Sequence, residues 1–197
     1  MITEAEFEKV ALDYNIEVAT IKAVYEVEAN NGGFLPDGRL KILFEGHVFW
    51  RQLVKKGVDP YSILKQEHRD VLYKHWTRDE YIGGAREWDR LEEAYDMTED
   101  DRVKTAAVES ASYGAFQLMG FNAQLLGFKD AFDLYFFLAE KELNHLKVFI
   151  KFCEANNLTR HLRSKNWAAF AKGYNGPGYA QNKYDTKLEK AYNKFAK

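Results

Sequence analysis

The sequence predicts a mainly helical fold with one small β element near residues 34–45, and three observations carry that expectation. Apolar residues recur at the three- and four-residue spacing of a buried helix face along most of the chain. Capping residues stand where several of these stretches begin. Alternation of the strand kind is convincing only at Leu40, Ile42 and Phe44. With no internal repeat, low-complexity tract or linker, the 197 residues read as a single domain, 1–197.

Thr3 and Glu6 form a capping box, with Ile2 and Phe7 as its hydrophobic staple, and Phe7, Val10, Ala11 and Tyr14 give the first helix its apolar face. A second helix follows Asn15. Ile21, Val24, Tyr25 and Glu28 fall at i, i+3, i+4 and i+7, so Glu28 shares a face with apolar side chains. Glu26, four residues after Lys22, reads as half of a solvated surface pair. Asn30, Asn31, Gly32 and Gly33 stop this helix within a turn of Glu28 and open one side of the carboxylate. A glutamate so placed either bonds nearby backbone amides or, half sunk among apolar groups, has a raised pKa suited to giving a proton at neutral pH.

After a turn at Pro36, Asp37 and Gly38, the short strand delivers Glu45 at its end, ahead of a helix from about His47 to Lys55. Residues 57–84 read as weak helices and loops, with Pro60 in a turn and Gly83-Gly84 as a breaker. Ala85, Trp88, Leu91 and Tyr95 mark the next helix, and Thr98 caps another that runs through Val103 and Ala106 to about Ser110. SYGAFQLMG interrupts the pattern, and Gln117 is the strongly polar side chain within it, on the simplest view a loop amide bonded to backbone. Asp130 caps the longest helix, in which Ala139, Leu143, Leu146, Ile150 and Cys153 keep a core spacing. Asn166 caps a helix with Trp167, Phe170, Ala171 and Tyr174 on one face, and after YNGPGY the stripe of the last helix is Tyr184, Leu188, Ala191 and Phe195.

Composition excludes more than it selects. With 28 basic against 30 acidic side chains there is no global field to attract nucleic acid. Aromatic residues at 15% fill a core or supply the flat faces of a sugar groove, and composition does not choose between these. Cys153 is alone, a packed thiol with no disulfide partner in the chain. His68 and His75 could share a helical face, but no Cys or HExxH spacing supports zinc, and glycine-rich phosphate loops are absent, so neither metal nor cofactor is expected. MITEAEFEKV has no apolar h-region and no segment approaches 18 apolar residues, so synthesis in the cytoplasm without a signal peptide is expected. Five lysines between Lys183 and Lys197 raise a weak contact of the last helix with an anionic envelope, although such a stripe most often docks on the core.

VEANNGGF with Glu28, SYGAFQLMG with Gln117, and AKGYNGPGY with Tyr174 and Asn175 resemble, in that order, the motifs of the lysozyme-like superfamily of goose-type lysozymes and lytic transglycosylases. KILFEGHVFW, YIGGAREWDRL, SYGAFQLMGFN, WAAFAKGYNGPGY and YDTKL look more closely like the blocks of the N-acetylmuramidase family of phage and prophage endolysins. That resemblance spans Ile21 to Tyr192 and covers residues 51 to 80 sparsely. It implies a lysozyme-like fold, and cleavage of the peptidoglycan bond between N-acetylmuramic acid and N-acetylglucosamine by a monomer that reaches the bacterial wall after release. Glu28 is then the general acid and Glu45, returned across the groove by the turn and strand, its partner carboxylate, with Asp185 in reserve. Ser112, Gln117, Tyr174 and Asn175 would line the groove, Tyr174 bonding the Glu28 carboxyl. Ala29 stands where the family usually has Ser, and Gly46 where Arg is usual, departures that touch local hydrogen bonding and leave both carboxylates in place. Two rivals remain: a lytic transglycosylase, in which one glutamate is acid and then base and the muramic 6-hydroxyl replaces water, and a non-enzymatic glycan-binding or structural helical module.

Overall fold

In the computed structural model, which describes residues 2–29 and 32–196, the chain runs through α1 (Glu4–Tyr14), α2 (Val18–Glu28), β1 (Ile42–Phe44), α3 (Gly46–Lys55), α4 (Pro60–Ile63), α5 (Arg86–Asp96) and α6 (Asp101–Glu109). It continues through β2 (Ala111–Tyr113), β3 (Leu118–Met119), α7 (Ala131–Glu140), α8 (Glu142–Ala155), α9 (Thr159–Arg163), α10 (Trp167–Asn175) and α11 (Tyr184–Phe195). The mainly helical class predicted from periodicity is the one observed. The elements gather into two compact units, Met1–Gly32 with Lys141–Lys197, and Gly33–Glu140.

In the first unit the Thr3 capping box forms as predicted, Glu6 N donating to Thr3 Oγ1 and Thr3 N to the Glu6 carboxylate at 2.9 Å. Apolar periodicity then sets the packing. α2 buries Ile21, Ala23 and Val24, and α11 packs against it with Leu188 and Ala191 buried, so the stripe of the last helix is core rather than free surface. Flanking helices also redirect the charges of α2. Lys22 bonds Glu4 of α1 and Glu26 pairs with Lys194 of α11, in place of the expected Lys22–Glu26 pair. Cys153 is a buried free thiol, as its spacing implied. The predicted cap residues Asn30 and Asn31 lie outside the described residues.

The long helix expected after Asp130 is two helices. Asp130 Oδ1 does accept Asp133 N at 2.9 Å, but Lys141 adopts an extended conformation (φ −168°, ψ 156°) and separates α7 from α8. No glycine or proline marks that break, and the short α9 was not foreseen either.

The second unit holds a sheet of order β1-β2-β3, antiparallel throughout, with Ile42 opposite Tyr113, Leu43 opposite Ser112 and Phe44 opposite Ala111. The β2–β3 hairpin is the part of the sheet that periodicity missed: all three residues of β2 are buried, so nothing alternates. Its turn needs left-handed backbone at Gly114 (φ +72°) and Gln117 (φ +49°). Two further readings shift. Asp100, not Thr98, caps α6 by accepting Arg102 N at 2.9 Å, while Thr98 Oγ1 accepts Asp100 N just outside the helix. The buried face of α5 is Glu87, Arg90, Leu91 and Ala94, with Trp88 and Tyr95 on its half-buried flank.

Candidate active site

Glu28 is the last residue of α2, one turn beyond Val24, which is fully buried on the same face. Removal from water raises its carboxyl to about 7, and a hydrogen bond from Asn175 and the charge of Lys187 only partly oppose that rise. The donor is Asn175 Nδ2, 3.2 Å from Glu28 Oε1. Asn175 ends α10, and Gly176 (φ +79°, ψ −176°) turns the chain there in a conformation essentially reserved for glycine. Tyr174 stacks on Phe170 at 5.8 Å and meets Phe149 edge-on at 5.1 Å. Burial and the neighbouring Glu28 charge push its phenol up, so it stays protonated, and the same two causes push up the Cys153 thiol. Glu28, Tyr174 and Asn175 are therefore brought together in the first unit, Asn175 donating to the carboxylate and Tyr174 lying within reach of its charge.

Ala29, where the family usually carries Ser, is buried, and its N–H is bonded to Tyr25 O at 2.9 Å, so backbone holds the helix end. Asp185, the reserve carboxylate, accepts Thr186 N at 2.8 Å in the first turn of α11, a local helix-end bond.

Glu45, in the second unit, sits between the end of β1 and the start of α3, where its N–H continues the ladder to Ser110 O at 3.0 Å. Gly46 follows because nothing larger fits: a Cβ there would lie 2.6 Å from Val71 O and run into the Tyr73 ring. Burial raises the Glu45 pKa, while Tyr81 Oη, donating to Oε2 at 2.5 Å, and the Arg90 charge pull it down. His47 Nδ1 lies 3.3 Å from the same oxygen without hydrogen-bond geometry, and burial and Arg51 lower the pKa of the ring, so it is neutral at pH 7.

Ser112 and Gln117 are also brought together. Ser112 Oγ donates to Gln117 Oε1 at 3.0 Å, and Gln117 Nε2 donates to Gly114 O at 2.8 Å, so the amide braces the hairpin turn. Neither contact reaches a carboxylate.

Sequence reasoning missed the assembly behind Glu45. Glu87, fully buried, accepts Phe44 N at 3.1 Å, Ile82 N at 2.9 Å and Gly83 N at 2.8 Å, and pairs with Arg90 Nη1 at 2.8 Å. Arg90 in turn donates to Phe44 O and Asp70 O. One ion pair thus fixes both backbone groups of the residue before Glu45 and the loop after Tyr81. A signal existed in Glu87 and Arg90 at i, i+3 beside Leu91 and Ala94, but charged residues at that spacing ordinarily read as solvated. His68 pairs with Glu93 at 3.0 Å, and among the described residues no group of three or more His, Cys, Asp or Glu is placed to hold a metal.

A mainly helical chain with a small antiparallel sheet and a glutamic acid tuned to neutrality at a helix end defines a lysozyme-like glycosidase. Residues 17–196 match the family model described as Muramidase, N-acetylmuramidase, and the chain belongs to that family. It is a peptidoglycan-cleaving glycoside hydrolase. The crystal structure of Burkholderia AP3 phage endolysin is similar at a TM-score of 0.88 and 37% sequence identity, over 99% of this chain and 71% of that one. Comparison with curated proteins finds no match. The family match includes residues 51–80, where the sequence blocks were sparse.

Proposed function

We propose that this muramidase acts as an endolysin on the bond between N-acetylmuramic acid and N-acetylglucosamine, with Glu28 as general acid and Glu45 as the carboxylate that activates water. The observation that carries the reading is the Glu28 carboxyl held near 7, where an acid keeps its proton at neutral pH and still transfers it readily. Protonation of the leaving oxygen builds positive charge at the anomeric carbon, and a second carboxylate is needed to direct water there. Glu45 suits that step: its backbone is fixed at a strand end, and a hydroxyl donor favours its ionised form. Tyr174 and Asn175 orient Glu28, while Ser112 and Gln117, bonded to each other on the hairpin, are further glycan contacts in this reading. Among the described residues no helix is long and apolar enough to cross a membrane, and the apolar stripe of α11 is occupied by α2. Contact of α11 with an anionic envelope would therefore rest on its lysines alone.

The test is a digest of purified peptidoglycan followed by mass spectrometry. Hydrolysis adds one water per cut and leaves reducing ends, whereas a transglycosylase leaves 1,6-anhydromuramic ends. Glu28→Gln, folded by its melting curve, should lose about 10²- to 10⁴-fold in rate. A folded Gln variant that cuts at the wild-type rate would end the assignment of Glu28, and anhydro products would end that of Glu45.

A further inference from the structure

The four tryptophans are treated very differently. Trp50 and Trp167 are buried, and Trp88 is half-buried with its indole N–H donated to Leu40 O at 2.9 Å. Trp76 is 59% exposed, in the loop between α4 and α5. An exposed indole ordinarily turns its N–H to water and samples several rotamers. This one donates to Tyr81 Oη at 3.1 Å, and Tyr81 Oη donates onward to Glu45 Oε2 at 2.5 Å. The loop between them is pinned as well, since Asp79 N donates to Thr77 Oγ1 and Tyr81 N to Arg78 O, both at 3.1 Å. Beyond Tyr81, Ile82 N and Gly83 N end on the buried Glu87 carboxylate. Arg78 lies over one face of the Trp76 ring, its guanidinium carbon 5.7 Å from the centroid, so a sugar would take the opposite face. The result is an exposed aromatic plate held two hydrogen bonds from a carboxylate.

We propose that Trp76 is a sugar-stacking platform, on which one pyranose ring of the glycan strand lies beside Glu45. One face of a pyranose presents C–H groups of slight positive charge, and the indole face carries the negative part of its quadrupole, so stacking buries apolar area while the rim hydroxyls stay free for hydrogen bonds. Fixing the indole through Tyr81 before the sugar arrives removes part of the ordering cost of binding. The same bond ties the platform to the carboxylate, so a ring seated on Trp76 is in register with Glu45. The inference rests on the muramidase reading and adds a residue to its substrate site.

Binding is measured by calorimetry in a Glu28→Gln background, where turnover is cut about 10²- to 10⁴-fold, with a peptide-free peptidoglycan tetrasaccharide as probe. Trp76→Leu, which keeps bulk but loses the aromatic face, should weaken affinity about tenfold. Trp76→Phe, which keeps a face but loses the N–H, should stay within about threefold of the parent. In the active background Trp76→Leu should raise KM more than it lowers kcat. Equal affinity in all three proteins overturns the proposal, and so does a Phe variant as weak as the Leu one, which would make the N–H and its hold on Glu45 the whole contribution. A parent that binds nothing, together with a wild type that releases no reducing ends from purified walls, would instead bring down the muramidase reading itself.

Discussion

Glu28 and Glu45 are both half-buried glutamates at the end of a secondary-structure element, and their surroundings are built from different materials. Around Glu28 the protein supplies apolar packing, a protonated phenol, a buried thiol and one amide donor. Around Glu45 it supplies a hydroxyl donor, a backbone ladder bond and, behind these, a buried ion pair that spends most of its hydrogen bonds on main chain. An apolar seat disfavours charge and makes an acid. Burial raises the Glu45 pKa as well, but there the Tyr81 hydroxyl and the Arg90 charge oppose the rise and favour the ionised form, which suits a base or water anchor. On the proposed roles, the contrast teaches that an acid and a base can be drawn from the same residue type by the choice of neighbours, and it says where each can be broken.

The largest expected effect breaks the Glu45 side. Glu87→Ala would leave Arg90 buried without its counter-charge and strip the acceptor from Phe44, Ile82 and Gly83 N–H groups. Breaking a buried pair from one side costs about 3–5 kcal/mol. Urea unfolding should show that loss, and in whatever fraction remains folded, activity should fall further than a mere stability defect allows, because the backbone before Glu45 is no longer fixed. A midpoint unchanged from wild type would mean that the pair is not the support described.

How legible these two seats were in the sequence differs for the same reason. The Glu28 side follows from local signals: a helix face at Ile21, Val24 and Glu28, an N-cap at Asn166, and a stripe from Trp167 to Tyr174, each confined to one element. The strand that delivers Glu45 was equally readable. What holds Glu45 was not, since Tyr81 and Trp76 lie in a stretch without periodicity, and Glu87 and Arg90 are inward-facing only because distant backbone groups need them. The hairpin escaped because β2 is buried on both faces, and the break at Lys141 because an extended lysine carries no sequence mark.

The next effect sharpens the Glu28 side through stability. Its folded pKa of about 7 lies above the ordinary value of 4.5, so the native state binds the proton more tightly than the unfolded chain between those limits. Stability contributed by the protonated form is complete below about 4.5 and is lost as pH rises through 7. Glu28→Gln cannot ionise, so at pH 8 it should be more stable than wild type by about 2–3 kcal/mol, and the difference should vanish near pH 4. Melting curves across that range decide the point. A gain that is independent of pH would mean that the carboxylate is not strained by burial.

The smallest effect concerns the Asn175 amide that donates to Glu28. Asn175 Nδ2 donates to the carboxylate and lowers its pKa against the larger push of burial. Asn175→Ala removes that donor, so the acid should hold its proton to a higher pH, and the alkaline limb of kcat/KM should move upward. The rate at the optimum should fall about tenfold, the scale of one hydrogen bond to a charged or charge-developing group, because the carboxyl also loses its orientation. Lys187→Gln provides a control on the sign: it removes a distant cation that also lowers the Glu28 pKa, and it should shift the same limb in the same direction with little loss at the optimum. A limb that moves down in either variant would show that burial is not what sets the acid, and the contrast between the two carboxylates would have to be drawn from some other feature of their seats.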